Sequence, residues 1–397
     1  MSQTKVCMLV RNDCRTDYRV LKEAGSLARA GYAVTIVAMN TYGPLEREQR
    51  DGFEIIRVPV EWSTSSLIKG INLYPKTILR MAKVARQIQA NVYHAHDFDT
   101  LLPAWLAVRK VLGARLVYDA HEAPFLTIRD ALPFFPFPLA VLTWFGFILS
   151  GWFIRHRAHA VITVNSMLAD LHKEYYKLNQ IAVVMNCPPR FLQASESKDF
   201  LAKHIGIDSS VPIIIYQGML VKGRHGTGLE NLVRSAPLLS KSVIVILGKG
   251  ALADELKILA KQIGCDKRVF ILPAVPPSEL LRYTSGATIG VIPTQPFHPI
   301  LNYSSPNKLF EYMAAGIPTV TGDLPIIRRI CEEYTCGLVC DPGSPDSIAA
   351  TINRLLDDQI LYETMCAGAS RAAQVYNWEN QEEVLLEVYR QLLENHL

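Results

Sequence analysis

A short segment of the sequence, SPNKLFEYMAAG (305–316), places three polar side chains on one side of a predicted helix. At about 100° per residue, Asn307, Lys308 and Glu311 lie opposite the apolar residues of the same helix. An amide, a cation and a carboxylate grouped in this way could form a binding surface. Simple solvent exposure explains the pattern about as well, so the segments around it have to decide.

The ends of this helix carry signals of their own. Ser305 can cap the first turn with its hydroxyl, and Pro306 suits the first helical position because its missing N–H is not needed there. Gly316 can take the left-handed conformation that ends a helix. The N-terminus would then present free amides and the positive end of the helix dipole, which is a natural site for a diphosphate.

Two glycine-containing turns in the second half of the chain also suit an anion. The turn in YQGMLVKGRHGTG offers Gly218 for close approach of the backbone, with Lys222 and Arg224 as phosphate-binding cations. A second turn, LGKGAL, places Gly248 after the next strand. Neither is a GxGxxG or Walker motif, and each could be an ordinary flexible turn. Because ligands bind at the carboxyl ends of parallel strands, the three features together favour a phosphate-bearing ligand at one sheet edge.

The first half of the chain places acids and histidines at the predicted ends of two strands. HAHDFDT contains Asp97, and YDAHEAP contains Asp119, His121 and Glu122. Carboxylates and imidazoles in such positions suit hydroxyl binding and proton handling. The HxHD pattern also resembles a metal site, but no HExxH motif or second metal-binding motif accompanies it, and we predict no metal.

The turn after the first predicted strand, RNDCRTDYR, is rich in arginine. It carries Arg11, Arg15 and Arg19 within nine residues. Anion binding would explain these charges, and solvation of a surface loop explains them about as well.

Composition limits the classes of protein to which these motifs can belong. A chain of 397 residues, 49% hydrophobic and 20% charged, is long enough for about two globular domains. The net charge of +4, without a run of lysines and arginines, argues against a nucleic-acid-binding protein. The eight cysteines include no CxxC pair and predict buried thiols rather than a zinc site. The polar N-terminal lead lacks the shape of a signal peptide, so we expect the reducing cytosol.

Strand-like and helical segments alternate along the whole chain. Apolar runs such as VCMLV, VTIVA, PIIIYQG and SVIVILG are continuous rather than alternating, which is typical of parallel strands buried on both faces. With helical segments between them, the pattern predicts an α/β protein of two Rossmann-like doubly wound domains facing a cleft. A polar stretch around 188–211 marks the boundary between domains of residues 1–190 and 191–377. The amphipathic C-terminal helix, 378–397, is expected to pack back on the first domain.

One segment, 131–157, departs from this soluble pattern. Residues 131–154 contain no charged side chain, and RHR follows directly. Three prolines leave only 139–154 as uninterrupted helix, which is short for a membrane span of roughly 20 residues. A buried core helix fits the segment, and so does an interfacial helix that places aromatic side chains in a bilayer. A transmembrane helix fits it least.

With these motifs in place, the sequence resembles a GT-B glycosyltransferase of family GT4 along nearly its whole length. The resemblance is carried by DYRVLKEAGSLARAGYAVTIVA, HAHDFDTLLPAWLA, LVYDAHE, SPNKLFEYMAAGIPTV and the terminal YNWENQ, and it points to the subgroup with SPNKxFEYMAAG. It implies that the second domain binds a nucleotide-diphospho-sugar, either a UDP- or a GDP-sugar, and that the first binds the acceptor. It also implies transfer with retention of configuration, with no cofactor and no catalytic metal.

The resemblance assigns roles to residues on the donor side. Glu311 matches a glutamate on the short helix that binds the ribose hydroxyls. A second glutamate, eight positions earlier in many GT4 members, contacts the donor sugar, but this chain has Tyr303 there. Part of the family shares this departure, so we do not expect an inactive copy. The amides of 304–307 are expected on the diphosphate. The donor-binding candidates besides Glu311 are Gly218, Lys222, Gly248, Ser304, Ser305, Pro306 and Asn307.

Three residues are candidates for catalysis by the same resemblance. His121 matches the family histidine that lies beside the donor sugar. Arg224 and Lys308 would neutralise the leaving diphosphate, with Arg224 ahead of Lys222 because a guanidinium can hold two oxygens. The leaving phosphate oxygen is expected to take the proton of the acceptor. The candidates on the acceptor side are Arg15, Arg19, Asp97, Asp119 and Glu122.

These implications favour a transferase that moves a hexose-type sugar to a lipid-linked acceptor in surface polysaccharide assembly. The enzyme is expected to be peripheral on the inner face of a membrane, held there by 131–157. The departure at Tyr303 keeps open a non-catalytic nucleotide-sugar-binding or scaffold subunit. An epimerase or phosphorylase of the same fold is a third possibility, although the sequence shows no lysine motif of the pyridoxal kind.

Overall fold

The chain folds into two compact units. The computed structural model describes residues 3–40, 43–60, 67–126, 137–190, 199–221, 228–295 and 299–394. One unit comprises Met1–Asn186 together with Gln381–Leu397, and the other comprises Cys187–Asn380. Each unit contains one largely parallel sheet with helices between its strands, so the predicted α/β class is confirmed.

The first unit is built on a sheet of eight strands within the described residues. These are β1 Lys5–Leu9, β2 Ala33–Asn40, β3 Glu46–Arg50, β4 Phe53–Pro59, β5 Val92–His96, β6 Arg115–Ala120, β7 Ala160–Thr163 and β8 Ala182–Val183. Their order is β3-β4-β2-β1-β5-β6-β7-β8, and only the β3–β4 pair is antiparallel. The helices of this part of the chain are α1 Tyr18–Arg29, α2 Leu67–Ile88, α3 Phe98–Val108, α4 Phe137–Arg157 and α5 Ser166–Tyr176.

The sheet of the first unit positions its polar residues at one edge. Val6–Leu9 of β1 are fully buried, as expected for a central parallel strand. Strand β5 pairs with β6 in a register that sets His96 opposite Asp119. Helix α1 begins directly after Asp17, whose carboxylate caps the helix by accepting a hydrogen bond from the amide of Val20. The carboxyl ends of β1, β5 and β6 therefore meet beside the first turn of α1.

The second unit has a six-stranded sheet within the described residues. Its strands are β9 Ile213–Met219, β10 Val243–Lys249, β11 Val269–Leu272, β12 Ile289–Ile292, β13 Thr319–Thr321 and β14 Gly337–Val339. They run in the order β11-β10-β9-β12-β13-β14, all pairs parallel. Its helices are α6 Phe200–Ile205, α7 Leu229–Arg234, α8 Leu252–Gln262, α9 Pro277–Ser285, α10 Asn307–Ala314, α11 Pro325–Tyr334, α12 Pro345–Asp357 and α13 Gln359–Val375. Short 3₁₀ turns occupy Ala236–Leu238 and Pro299–Tyr303.

The short helix α10 begins one residue later than its sequence suggests, at Asn307 rather than Pro306. Pro306 takes the N-cap position in an extended conformation, without a side-chain cap, so the prediction that Ser305 caps the helix is wrong. The end of the helix is as predicted, because Gly316 has a φ of +68°. The amide of Ile317 donates to the carbonyl of Tyr312 over 3.1 Å, which completes the usual glycine-terminated helix end.

The last helix, α14, spans Trp378–Glu394, and its residues from Gln381 onward belong to the first unit. The Tyr389 side chain is fully buried, and its hydroxyl lies 2.8 Å from Nδ1 of His94. At the surface, Glu382 pairs with Arg29 over 2.6 Å.

Helix α4 begins at Phe137, with Pro138 in its first turn, where proline is tolerated. Residues 127–136, which include the earlier prolines of the apolar segment, lie outside the described residues. Within the part of the chain that the structure describes, no helix combines the length and apolar character that crossing a membrane requires.

Candidate functional site

In the second unit, Glu311 of α10 stands at the end of a chain of side-chain hydrogen bonds. Thr284 Oγ1 donates to Gln217 Oε1 over 2.7 Å, and Gln217 Nε2 donates to Glu311 Oε2. Thr284 and Gln217 are buried, whereas Glu311 is partly exposed. Two buried neutral groups therefore fix the orientation of a carboxylate at the protein surface. A group held in this way is preorganised to accept hydrogen bonds from a ligand.

Lys308 lies on the same helix, three residues before Glu311. Its Nζ is 4.1 Å from the centre of the Tyr216 ring. A Cβ at Gly218 would come within 3.2 Å of this nitrogen, and Gly218 has a φ of +146°, so a glycine is what leaves room for the ammonium group. Burial lowers the pKa of Lys308 to about 8, although the charge of Glu311 acts in the opposite direction. The lysine therefore carries its charge at neutral pH.

The amides near the start of α10 are not equally available. The Ser304 amide donates to the carbonyl of Leu301 over 3.0 Å, and Pro306 has no amide hydrogen. The amides of Asn307 and Lys308 stand in the first turn, where a helix has no carbonyl to offer them. Anion binding at this helix end is therefore expected to depend on Asn307 and Lys308 more than on Ser304.

The remaining donor-side predictions have mixed outcomes. A Cβ at Gly248 would overlap the carbonyl oxygen of Gly218 on the paired strand, so strand packing already explains this glycine. Lys222 and Arg224 lie outside the described residues. Tyr303 is the last residue of a 3₁₀ turn and is partly exposed. The roles of these residues toward a donor stay predictions.

In the first unit, Arg19 of α1 and Asp119 of β6 form a buried ion pair. The Nη2 atom of Arg19 lies 3.0 Å from Oδ1 and 2.9 Å from Oδ2 of Asp119, and Nη1 donates to the carbonyl of Val184 over 2.7 Å. The side chain of Arg19 is 6% exposed and that of Asp119 is fully buried. Burial raises the pKa of Asp119, but the Arg19 guanidinium more than offsets this and holds the pKa well below its ordinary value. A fixed negative charge thus sits at the end of β6.

His121 follows this strand and contacts two carboxylates. Its Nε2 lies 3.1 Å from Asp119 Oδ2, and its Nδ1 lies 3.2 Å from Asp97 Oδ2. Arg19 Nε is also 3.1 Å from Nε2 and opposes protonation of the ring. Burial lowers the pKa of His121, but Asp119 and then Asp97 outweigh it and raise the pKa to about 10. We therefore expect an imidazolium at neutral pH, with 19% of the side chain exposed to solvent.

Asp97 has an uncommon backbone conformation, with a φ of +62° and a ψ of 167°. Its amide donates to the carbonyl of Asp119 over 2.8 Å, and its Oδ1 accepts the amide of His121 over 3.1 Å. Both bonds tie the turn after β5 to the end of β6. A strained aspartate between two such bonds orients the His121 ring, and strain of this kind clusters at functional sites.

Behind His121 lies a buried group of polar side chains on β5 and α1. The rings of His94 and His96 stack with their centres 4.3 Å apart, and burial lowers the pKa of both. Glu23 lies 3.1 Å from the Arg19 Nε. The Nε2 atoms of both histidines and the carboxylate oxygens of Glu23 are buried and have no hydrogen-bond partner among the described residues.

Part of this group could hold a metal ion. One donor atom from each of Glu23, His94, His96 and Asp119 lies within 4.8 Å of the others. A dication would have to compete with the Arg19 guanidinium, which already pairs with both carboxylates. The prediction that this site holds no metal stays a prediction.

The structure brings together four of the predicted first-unit residues and separates two. Arg19, Asp97, Asp119 and His121 form the contacts described above. Arg15 is exposed and pairs with Glu46 over 2.7 Å at the surface. Glu122 is exposed as well, one residue beyond His121. Their assignment to an acceptor site is therefore not supported by contact with the cluster.

Sequence reasoning missed several residues of both clusters. Gln217 and Thr284 were not singled out, because a polar residue in a strand or helix gives no local sign of its partner. Glu23 had one signal, since Arg19 and Glu23 are four residues apart on one side of a helix, the spacing of an ion pair. His94 was visible only as part of the HxHD pattern.

Two family descriptions match the chain, one in each unit. Residues 18–187 match Glycosyltransferase Family 4, and residues 197–372 match Glycosyl transferases group 1. An uncharacterized glycosyltransferase of Methanocaldococcus jannaschii is 28% identical over 205 residues. This match spans 50% of this chain and 50% of the length of that protein. A D-inositol 3-phosphate glycosyltransferase of Nocardioides sp. is 25% identical over 396 residues, which is 94% of this chain and 84% of that protein.

Solved structures resemble both units of the chain. Sucrose-phosphate synthase from Thermosynechococcus elongatus has a TM-score of 0.76 at 18% identity and covers 99% of this chain and 100% of its own. Anabaena HepE in complex with UDP-glucose has a TM-score of 0.70 at 14% identity, over 98% of this chain and 100% of its own. At these identities the likeness concerns the fold, and it confirms the predicted GT-B fold.

Proposed function

We propose that this chain transfers a hexose-type sugar from a nucleotide-diphospho-sugar to a hydroxyl of a lipid-linked acceptor, with retention of configuration. The two family matches and the fold support this proposal, because they indicate a glycosyltransferase of the GT4 type. The single observation that carries the donor part is the fixed Glu311 carboxylate with the Lys308 ammonium beside it. A carboxylate can accept hydrogen bonds from both hydroxyls of a ribose, and an ammonium can bind a phosphate oxygen. The HepE complex with UDP-glucose makes a uridine nucleotide the first donor to test.

The main chemical demand on such an enzyme is to stabilise a diphosphate as it leaves an oxocarbenium-like sugar. In this proposal the positive charge comes from Lys308, from the first-turn amides of α10 and from Arg224. Lys308 and the amide of Asn307 are held by one rigid helix, so they need no reorganisation when charge develops. This arrangement supports transfer without a catalytic metal.

His121 is assigned to catalysis, and its surroundings limit what it can do. With a carboxylate beside each ring nitrogen, it is expected to hold both protons at neutral pH, so it cannot accept the proton of the acceptor hydroxyl. It can contribute positive charge near the reacting groups. The proton of the acceptor is therefore assigned to the leaving phosphate oxygen.

The lipid-linked acceptor is supported by one side of α4. Seven large apolar side chains recur there every three or four residues, each 39–82% exposed, and we call them the α4 stripe: Phe137, Val141, Trp144, Phe145, Ile148, Leu149 and Trp152. The helix carries no charged residue before Arg155. An exposed apolar side of this kind suits the boundary between lipid headgroups and acyl chains, where a lipid-linked acceptor is found. The proposal therefore places the enzyme peripherally on a membrane.

The donor part is tested by a thermal-shift panel of nucleoside diphosphates and their sugars on the wild type, Glu311→Ala and Glu279→Ala. Glu279 is an exposed acid on α9 and serves as the matched control. We expect one nucleotide to stabilise the wild type and the control, with and without a chelator, and to stabilise Glu311→Ala much less. Equal stabilisation of all three proteins would refute the assignment of Glu311.

The same panel separates catalysis from simple binding. The tyrosine at position 303 favours, as a second candidate, a subunit that binds nucleotide-sugar without transferring it. His121→Ala should keep donor binding and lose donor hydrolysis and transfer if the chain is an enzyme. A wild type that binds the donor but neither hydrolyses nor transfers it would favour the binding subunit.

A further inference from the structure

The first unit carries a groove of about 600 Å³ between α2 and α3. Four of the side chains that line it are cationic, and none of its lining residues is acidic. We call it the cation groove, and its charged residues are Lys83, Arg86, Arg109 and Lys110. Leu79 and Leu106 form the apolar part of its wall.

The four cations have no carboxylate partner among the described residues, and all four are exposed. Local sequence explains this, because α2 contains five lysines and arginines and no acidic residue over 22 residues. Lys83 and Arg86 are three residues apart on α2, and Arg109 and Lys110 follow the last turn of α3. Unpaired like charges around one concave surface repel one another and attract an anion.

The cation groove is continuous with the α4 stripe. The Arg109 guanidinium lies 5.0 Å from the ring centre of Trp105 on α3, and that ring meets Phe153 of α4 edge-on with centres 5.3 Å apart. Phe153 adjoins Trp152, the last member of the stripe. On the other side, Leu79 and Leu102 are 61% and 46% exposed. One surface therefore combines exposed apolar side chains, which suit insertion into a bilayer, with a groove lined by lysines and arginines.

We propose that the cation groove binds the phosphate of an anionic lipid headgroup and, together with the α4 stripe, docks this unit on an acidic membrane. The inference rests on the proposed lipid-linked acceptor, for which it specifies the lipid class of the surface that the enzyme uses. Apolar side chains would enter the interface while the groove holds a headgroup at phosphate level. Arg155 continues the stripe at its end and adds positive charge to the same side of α4.

Charge decides between the possible occupants of this surface. The α4 stripe alone could join a second copy of the chain, but such a contact would leave the adjoining cations without counter-charge. A free phosphate ion would satisfy the groove and leave the stripe in water. An acidic bilayer complements both features at once, since anionic lipid attracts each lysine or arginine near its surface.

The test is flotation of the full chain with vesicles of phosphatidylcholine, either alone or rich in phosphatidylglycerol. The groove variant is Lys83→Gln/Arg86→Gln/Lys110→Gln, which leaves Arg109 on its Trp105 contact. The control variant, Lys241→Gln/Lys261→Gln/Lys267→Gln, removes the same charge from exposed lysines of the other unit. A stripe variant, Phe145→Ser/Trp152→Ser, separates the apolar contribution.

We expect the wild type and the control to float with acidic vesicles and to bind pure phosphatidylcholine weakly. The groove variant should lose about fivefold in affinity for each cation removed, or on the order of 100-fold in total. Free inorganic phosphate should not displace the wild type from acidic vesicles. Displacement by inorganic phosphate, equal loss in groove and control variants, or equal binding to both kinds of vesicle would overturn the proposal. A dimer that the stripe variant dissociates, without vesicle binding, would overturn it as well.

Donor binding distinguishes failure of this proposal from failure of the proposed function. The groove variant should keep the full thermal shift with the nucleotide that stabilises the wild type, because the groove contributes nothing to that site. If vesicles bind as expected and no nucleotide does, the lipid site stands and the transferase assignment fails. If nucleotides bind and acidic vesicles do not, only the lipid site fails.

Discussion

Replacing Asp97 by asparagine tests the charge on His121 directly. Asp97 Oδ2 lies 3.2 Å from the Nδ1 atom of His121, and Oδ1 accepts the His121 amide over 3.1 Å. Asparagine keeps an oxygen acceptor for that amide, and its side chain has nearly the same size and shape as that of the aspartate it replaces. The substitution therefore removes one negative charge while it preserves the turn.

The structure sets the size of the effect. Asp119 and Asp97 raise the pKa of His121 to about 10 against burial and the charge of Arg19. A carboxylate in contact shifts a pKa by about 1–3 units, so Asp97→Asn should lower the pKa of His121 to about 7–9. His121 would then lose its proton within the pH range of ordinary assays. The wild type should remain charged throughout that range.

Nitrogen-15 NMR of the imidazole ring measures this pKa, and the pH profile of kcat reports its consequence. The alkaline decline of kcat should move to lower pH in Asp97→Asn by the shift that NMR measures. Asp99→Asn is the control, because Asp99 lies only two residues further along, in the first turn of α3, and pairs with Arg11 over 2.6 Å. A wild-type His121 that titrates near its ordinary value of about 6.5 would refute the reasoning. Arg19 would then determine the state of the ring, and the two carboxylates would not.

Three further changes probe stability and the donor site. The raised pKa of His121 means that the folded state binds the proton of this ring more tightly than the unfolded state does. The contribution of this proton to the free energy of unfolding is therefore complete below about pH 6.5 and is lost as pH rises toward about 10. Chemical denaturation across this pH range should show the decline. Thr284→Val removes the hydroxyl that orients Gln217, so calorimetry should show roughly tenfold weaker nucleotide binding, and unfolding should cost about 1–2 kcal/mol less; unchanged binding would mean that Glu311 orients itself. Lys308→Met keeps the aliphatic stem and removes the charge, so diphosphate binding should fall about tenfold or more while binding of the bare nucleoside stays the same.

The fold was readable from the sequence because parallel strands are apolar along their whole length. The runs that start at Val6, Pro212 and Ser242 each cover all but one residue of an observed strand. The antiparallel pair β3–β4 could not be recognised in this way, because β3 lies at the sheet edge and its sequence, EREQR, contains no apolar residue. Its turn, Asp51–Gly52, has positive φ at both residues and is the local signal that could have revealed the hairpin.

The candidate site was only partly readable, for a physical reason. Motifs at strand ends, such as the one that contains His121, can be recognised because strand ends of one sheet converge. The ion pair between Arg19 and Asp119 joins residues 100 positions apart, and nothing local tells a paired arginine from a solvated one. The hydrogen bond that fixes Glu311 on α10 likewise comes from Gln217 on strand β9, 94 positions earlier in the chain. Pairing of buried polar groups is a tertiary property, and it decides which candidates become charged, oriented groups.

Lys308 and His121 are expected to lose their protons at different pH values. This difference predicts that kcat/KM and kcat decline at different pH values. Burial places the pKa of Lys308 at about 8, whereas the carboxylates beside His121 raise its pKa to about 10. In the free enzyme Lys308 therefore loses its charge first, and kcat/KM for the donor should fall as pH rises through about 8. A bound diphosphate adds negative charge beside Lys308 and raises its pKa, so kcat at saturating donor should persist until His121 titrates. If kcat and kcat/KM instead fall together near pH 8, one group governs both steps, and the separate roles assigned to Lys308 and His121 are wrong.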